Sequence, residues 1–307
     1  MQLSMGIPSF SAEAPVSWDH LTDWTQLLEH SGFDRVLVSE HIAFGLNMEA
    51  YANPKTGGTE GGRQPTGPDG HWLEPLTVLT YLAARTERIR LGTNILLAPL
   101  RPAAVLAKTV ATMDVLSGGR IDLGVGVGWQ REEYDAAGVD FDRRGAILDQ
   151  TLEVCQRLWQ ENEVSYTGTG LSFDRIHQMP KPVQAGGVPI WVSGTVNRAV
   201  ARRLARFGKY WIPWGSDARD IAAGIERMRA AVEHAGGDPD GFGITGALRV
   251  KAGSDGRPDL AAVATAAVSQ AQAGVTDLRV TQWPLPAENR ERVVSAVVDA
   301  VRDAVGG

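Results

Sequence analysis

Residues 117–134 read SGGRIDLGVGVGWQREEY, and the fold follows from how that stretch is parsed. Ser117, Gly118 and Gly119 are turn residues, 121–127 is a short apolar run broken only by glycines, and 129–134 turns polar and aromatic. This pattern predicts a buried strand that emerges into a functional loop. Gly124, Gly126 and Gly128 alternate along it, so one face carries no side chains. Either a flat ligand lies against bare backbone there, or a neighbouring element packs closely. The G-x-G-x-G spacing is not the dinucleotide-binding fingerprint, and no Lys-Ser/Thr follows as in a P-loop.

Outward from that stretch, strands and helices alternate in both directions. Strands are predicted at 2–7, 35–39, 89–96, 121–127, 189–193, 210–213, 243–251 and 277–281. Helices are predicted at 18–30, 74–86, 102–116, 144–160, 196–207, 217–235, 260–273 and 287–305. Eight strands, each followed by a helix, are the tally of an α/β (β/α)8 TIM barrel. The 307 residues suit one such domain. Two segments interrupt the alternation: a Gly/Pro-rich stretch at 42–73, read as a lid, and a small hairpin-like insertion at 163–182. Both are expected at the C-terminal face of the strands.

A hydrophobic content of 43%, a charged content of 21% and a net charge of −6 describe a globular protein without the cationic surface that nucleic acid or anionic membrane attracts. No apolar run is long enough to span a bilayer and no secretory signal is visible, so a cytoplasmic protein is expected. Cys155, the single cysteine, falls in a helical pattern and reads as a buried structural thiol. His20, His30, His177 and His234 have no metal-ligand spacing, no HExxH occurs, and no metal is expected. Ser-His-Asp hydrolysis has no G-x-S-x-G elbow.

In a barrel of this kind chemistry sits at the carboxyl ends of the strands. That rule selects Phe10, Glu40, His41, the stretch 93–97, Gly128 to Glu133, Ser193 to Asn197, Trp214, Lys251 and 281–283. An imidazole ionises near neutral pH, so His41 is the candidate acid/base group, with a hydrogen-bonded pocket histidine as the plainer reading. Glu40 points the other way if the strand persists, toward the barrel wall or a cofactor edge. Glu132 and Glu133 are candidate hydrogen-bonding carboxylates, Glu132 for a bound cofactor and Glu133 for the chemistry beside His41. Neither is predicted to be shielded from solvent, one is read as surface charge, and Glu133 is favoured for the site. Ser193, Gly194 and Thr195 open a helix, where free N–H groups and hydroxyls make a phosphate site, although ordinary capping explains the same letters. Arg198 lies near enough to assist, while Arg202 and Arg203 read as a solvated face. Trp129, Trp72, Trp214 and Phe10 are candidate substrate walls, with Tyr51 and His71 bordering the lid.

The blocks VSEH (38–41), LGTNILLAPLRPAAVLAK (91–108), ATMDVLSGGRIDLGVGVGWQREEY (111–134) and PKPVQAGGVPIWVSGT (180–195) resemble the bacterial luciferase-like family of flavin and deazaflavin oxidoreductases. The chain is most similar to the branch that uses coenzyme F420. The blocks span most of residues 1–215, and the last third matches only in its order of strands and helices. The resemblance implies a barrel with an insertion, a flavin-like ring across the strand ends, a phosphate in the loops after strands five and six, and a catalytic His41. It also implies a non-proline cis peptide at Asn94-Ile95 beneath the ring. One departure matters: Trp129 stands where the sugar-phosphate branch has a proton-donating carboxylate, which disfavours a sugar phosphate and favours an apolar or aromatic small-molecule substrate. The alternatives are a reduced-FMN monooxygenase served by a separate reductase, a barrel that binds a cofactor or ligand without turning it over, and, outside the family, a metal-dependent hydrolase. A homodimer is expected by resemblance.

Overall fold

The computed structural model describes residues 1–253, 256–281, 283, 285 and 288–306. Gln282, in the predicted site after the eighth strand, and Ala287, at the predicted start of the last helix, lie outside the described residues.

Eight parallel strands close into a barrel: β1 (Gln2–Gly6), β2 (Arg35–Val38), β3 (Arg90–Thr93), β4 (Ile121–Val125), β5 (Ile190–Gly194), β6 (Gly208–Pro213), β7 (Gly243–Leu248) and β8 (Asp277–Val280). Sequence neighbours pair throughout, and β8 closes on β1 with Gln2 opposite Asp277. The covering helices are α1 (His20–His30), α2 (Pro75–Ala83), α3 (Ala103–Ser117), α4 (Arg144–Gln160), α5 (Arg198–Phe207), α6 (Ile221–His234), α7 (Leu260–Gln272) and α8 (Arg290–Val305). Local chemistry explains their ends. Pro75 opens α2 with Glu74 accepting the Thr77 N–H at 2.7 Å, and Asn197 caps α5 through the N–H groups of Ala199 and Val200. The helix predicted over 217–235 is instead two, Ser216–Arg219 and α6, because Asp220 leaves helical geometry and caps Ala223. Cys155 is buried in α4, and burial pushes its thiol up from the ordinary value.

The amino-terminal end of the barrel is plugged by charge. Arg35 reaches Asp122 at 2.6 Å and Asp277 at 2.5 Å, Arg90 forks onto Asp122, and Ser4 donates to Asp277 at 2.7 Å. The Arg35 guanidinium lies over Trp191, which stacks on Tyr210 with ring centroids 3.8 Å apart. This ion cluster makes one end of the barrel a wall and leaves the other for function.

The lid segment carries two short 3-10 turns, Met48–Ala52 and Pro54–Thr56, and ends in a two-stranded ribbon pairing Phe10 with Trp72. It covers the carboxyl ends of the strands. The predicted hairpin forms from Val164–Gly168 and Leu171–Ile176, but it runs along the outer flank of α3 and α4: Gln178 donates to the Ala104 carbonyl and Arg157 to the Ser165 carbonyl. Its expected place at the strand ends is therefore corrected, since it connects the end of α4 to the start of β5. Among the described residues no helix is long and apolar enough to cross a membrane.

Candidate active site

A cavity of about 630 Å³ opens under the lid, and Phe10, Glu40, His41, Trp72, Asn94, Ile95, Gly128, Trp129, Ser193, Gly194, Thr195 and Trp214 all line it. Residues scattered from position 10 to 214 are thus brought together by the strand ends.

Of the two readings of the glycines in and just after β4, the contacts favour close packing by a neighbouring element. A Cβ on Gly124 would stand 2.0 Å from the Thr93 carbonyl oxygen, one on Gly126 2.5 Å from Ile95 Cδ1, and one on Gly128 2.7 Å from Leu97 Cδ2. Each glycine makes room for every second residue of the neighbouring chain, so close packing accounts for the alternation. Between Thr93 and Leu97 that chain holds a cis peptide at Asn94-Ile95, after which Leu96 rejoins β4 opposite Val125. The Ile95 side chain fills the space that Gly126 leaves, and Gly126 to Gly128 still border the cavity beside it.

His41 sits at the carboxyl end of β2 with Nδ1 3.1 Å from Glu133 Oε1, off the line of a hydrogen bond. The same oxygen accepts the Ile42 N–H at 2.9 Å, which fixes the carboxylate against the chain that carries the imidazole. Glu133 is 0% exposed, because the helix Arg131–Ala136 turns it inward; the expected lack of shielding is corrected. Glu132, the other candidate, stays outside the cavity. Its stem packs on the lid, where a Cβ at Gly45 would meet its Cγ at 2.3 Å. Aromatic rings cage the imidazole: Phe44 at 4.3 Å, Trp72 edge-on at 4.8 Å and Trp129 edge-on at 5.8 Å between centroids. A carboxylate beside Nδ1 favours the tautomer protonated there, which leaves Nε2 to exchange a proton with a ligand.

Glu40 lines the cavity, yet its carboxylate is engaged. It accepts the Leu97 N–H at 2.5 Å and Arg101 at 2.5 Å, and Arg101 also holds Glu74. Burial pushes the Glu40 carboxyl above its ordinary value, with Arg101 and the Leu97 N–H drawing it back. Its chemistry is to anchor the turn after the cis peptide. Tyr134, fully buried, supports the opposite wall by donating to the Val127 carbonyl at 2.6 Å.

At the β5 end, the N–H groups expected to be free are largely taken: Asn197 accepts those of Ala199 and Val200, and Asp217 accepts that of Val196 at 2.7 Å. The Ser193 and Thr195 side chains and two arginines supply the polar lining instead. Arg198 is exposed and outside the cavity, whereas Arg203, expected on a solvated face, is 6% exposed, pairs with Asp149 at 2.5 Å and lines the cavity. Arg202 is exposed as expected. Arg144 was not foreseen. It donates to the Phe141 and Thr56 carbonyls, its Nε is buried without a partner, and burial lowers its pKa. Such a group fits an anionic tail, and the position of an arginine at the first turn of α4 was its only sequence signal.

The lid is held over the cavity through its own carbonyl groups and braced by a side-chain bond within it. Trp214 Nε1 lies 3.1 Å from the carbonyl oxygens of both Gly57 and Gly58, and Trp72 donates to Thr66 Oγ1 at 2.9 Å. Tyr51 lies between Trp129 and Trp214, completing an aromatic wall. Among the described residues no group of three His, Cys, Asp or Glu side chains is arranged to hold a metal ion.

The family model described as luciferase-like monooxygenase matches residues 1–304. An uncharacterized protein of Mycobacterium tuberculosis is 33% identical over 216 residues, covering 69% of this chain and 73% of that one. The pyrimidine monooxygenase RutA of Allorhizobium ampelinum is 29% identical over 191 residues, 57% of this chain and 50% of that protein. Two solved structures share the fold: monooxygenase RslO1 from Streptomyces bottropensis, with a TM-score of 0.75 at 20% identity over 99% of both chains, and an F420-dependent secondary alcohol dehydrogenase in complex with an F420–acetone adduct, with 0.70 at 17% over 99% of this chain and 100% of that one. With the match running the length of the barrel, the chain belongs to the luciferase-like monooxygenase family, a family of oxidoreductases.

Proposed function

We propose that the protein is an oxidoreductase that uses reduced coenzyme F420 to exchange a hydride with a small organic molecule of apolar or aromatic body. The observation that carries this reading is the His41–Glu133 pair, caged by aromatic rings at the edge of a cavity whose far side holds Arg144 and Arg203. When bound, a reduced deazaflavin supplies the hydride from a ring carbon. The residues present fit such a group: Ile95 and Gly126 to Gly128 would hold the flat ring, while Ser193, Thr195 and the Arg144 guanidinium would hold its anionic tail. His41 exchanges a proton with the substrate oxygen through Nε2 as the hydride moves, and Glu133 beside Nδ1 keeps the ring oriented. Trp72, Trp129, Tyr51 and Trp214 exclude water and offer the substrate an apolar wall.

The second reading is a reduced-FMN monooxygenase partnered by a separate reductase, supported by the monooxygenases among the similar proteins. Anaerobic titration of the purified protein with each reduced cofactor, followed by turnover with and without oxygen, separates the two. Binding of reduced F420 and oxygen-independent oxidation of it by a substrate panel is the expected result. Oxygen-dependent turnover with reduced FMN alone would overturn it.

A further inference from the structure

Asp277 and Arg279 alternate on β8, so both side chains enter the barrel. Asp277 joins the charged plug below, whereas Arg279, one layer higher, lines the large cavity and also a second chamber of about 320 Å³ that adjoins it between the ends of β8, β1 and β2. Among the described residues Arg279 joins no ion pair and donates no hydrogen bond, in contrast to Arg203 of the same cavity, which holds Asp149. Burial lowers its pKa, with Asp277 and Tyr51 opposing. Arg279 is half-buried, its guanidinium borders both cavities with no partnering anion among the described residues, and its planar fork matches a carboxylate. Ile7, Phe10 and Leu37 give the second chamber apolar walls, and Phe10 stacks on Trp72, which meets His41 edge-on. The route from the unpaired cation to the proton-exchanging imidazole is therefore lined with rings.

We infer that the substrate is an aromatic or apolar carboxylate whose oxyanion is gripped by Arg279 and whose body lies along Phe10 and Trp72 toward His41. The inference rests on the oxidoreductase reading above and narrows its substrate class. A planar oxyanion could also come from the cofactor, so the test carries both arms. Benzoate and its neutral isostere benzamide are titrated calorimetrically into the wild type, Arg279→Met and Arg279→Lys, each with and without reduced F420. The expected result is that wild type prefers benzoate by about tenfold or more, that Arg279→Met abolishes the preference, that Arg279→Lys retains part of it, and that cofactor affinity changes by less than about twofold. Equal binding of the two probes by wild type, or binding of neither, overturns the inference. So does an Arg279→Met variant that loses about tenfold in cofactor affinity while keeping its benzoate preference. If neither reduced F420 nor reduced FMN binds but the Arg279-dependent preference persists, the cofactor reading fails and the anion site stands.

Discussion

His41 and Glu133 are ninety-two positions apart by number and in contact in space, and each explains the other's setting. Replacing His41 with Ala is expected to lower kcat/KM by roughly 10²- to 10⁴-fold in the proposed reaction while leaving cofactor affinity nearly unchanged, read from steady-state rates beside a binding titration. A drop in affinity equal to the drop in rate would make His41 a mere wall of the cavity. The imidazole was legible in the sequence because a barrel puts chemistry at strand ends and VLVSEH finishes a strand. The burial of Glu133 was not. REEYDA favours Glu133 for the site but does not foretell its burial, which depends on the Ile42 N–H arriving from another part of the chain. Arg144 and Arg279 were hidden for a similar reason: a charge in a short segment reads as surface until the fold supplies the hollow it faces.

Among the elements, the β3–β4 pair shows what alternation alone conveys. The glycines announced a close approach, but only the partner's Thr93, Ile95 and Leu97 revealed what approaches. Gly124→Ala would press a methyl into the Thr93 carbonyl, so a loss of about 3 kcal/mol or more in unfolding free energy is expected from urea denaturation, against less for Gly126→Ala, whose neighbour is the movable end of Ile95. Equal costs for the two would refute the backbone argument. The junction of α1 with the start of β3 depends on Glu29, whose Oε1 accepts the N–H groups of Glu87, Arg88 and Ile89. Burial raises its pKa, but the three backbone donors outweigh this and the net shift is downward. Its contribution is therefore present above the unfolded value of about 4.3 and disappears as pH falls through the lower folded value. Glu29→Gln should lose about 1.5–3 kcal/mol near pH 7 in urea titrations, with the gap to wild type closing as the solution is acidified below about pH 4. A gap independent of pH would show that the charge is irrelevant. Helix and strand order was legible from periodicity, whereas the break at Asp220 was not, because one aspartate among helix formers reads equally as an interior residue or a cap.

The whole molecule is polarised: ions seal one end of the barrel, and aromatic rings with a lid enclose the other. Removing Arg35 as Arg35→Met leaves Asp277 with Ser4 alone for support, while Asp122 keeps Arg90, and a cost of about 3–5 kcal/mol is expected from chemical denaturation. A neutral outcome would mean that Asp277 takes up a proton without penalty. The closed barrel was legible from the count of strands, but the flank position of the hairpin was not, since an insertion after a helix carries no mark of which way it folds. Finally, the barrel fastens its cover through Trp214 and Arg144 to the carbonyl oxygens of Gly57, Gly58 and Thr56. Every amino acid offers that same oxygen. At these three anchors the fastening makes no demand on side-chain identity, so the rings that the cover turns toward the cavity, and with them the guests it admits, can change while the anchors stay.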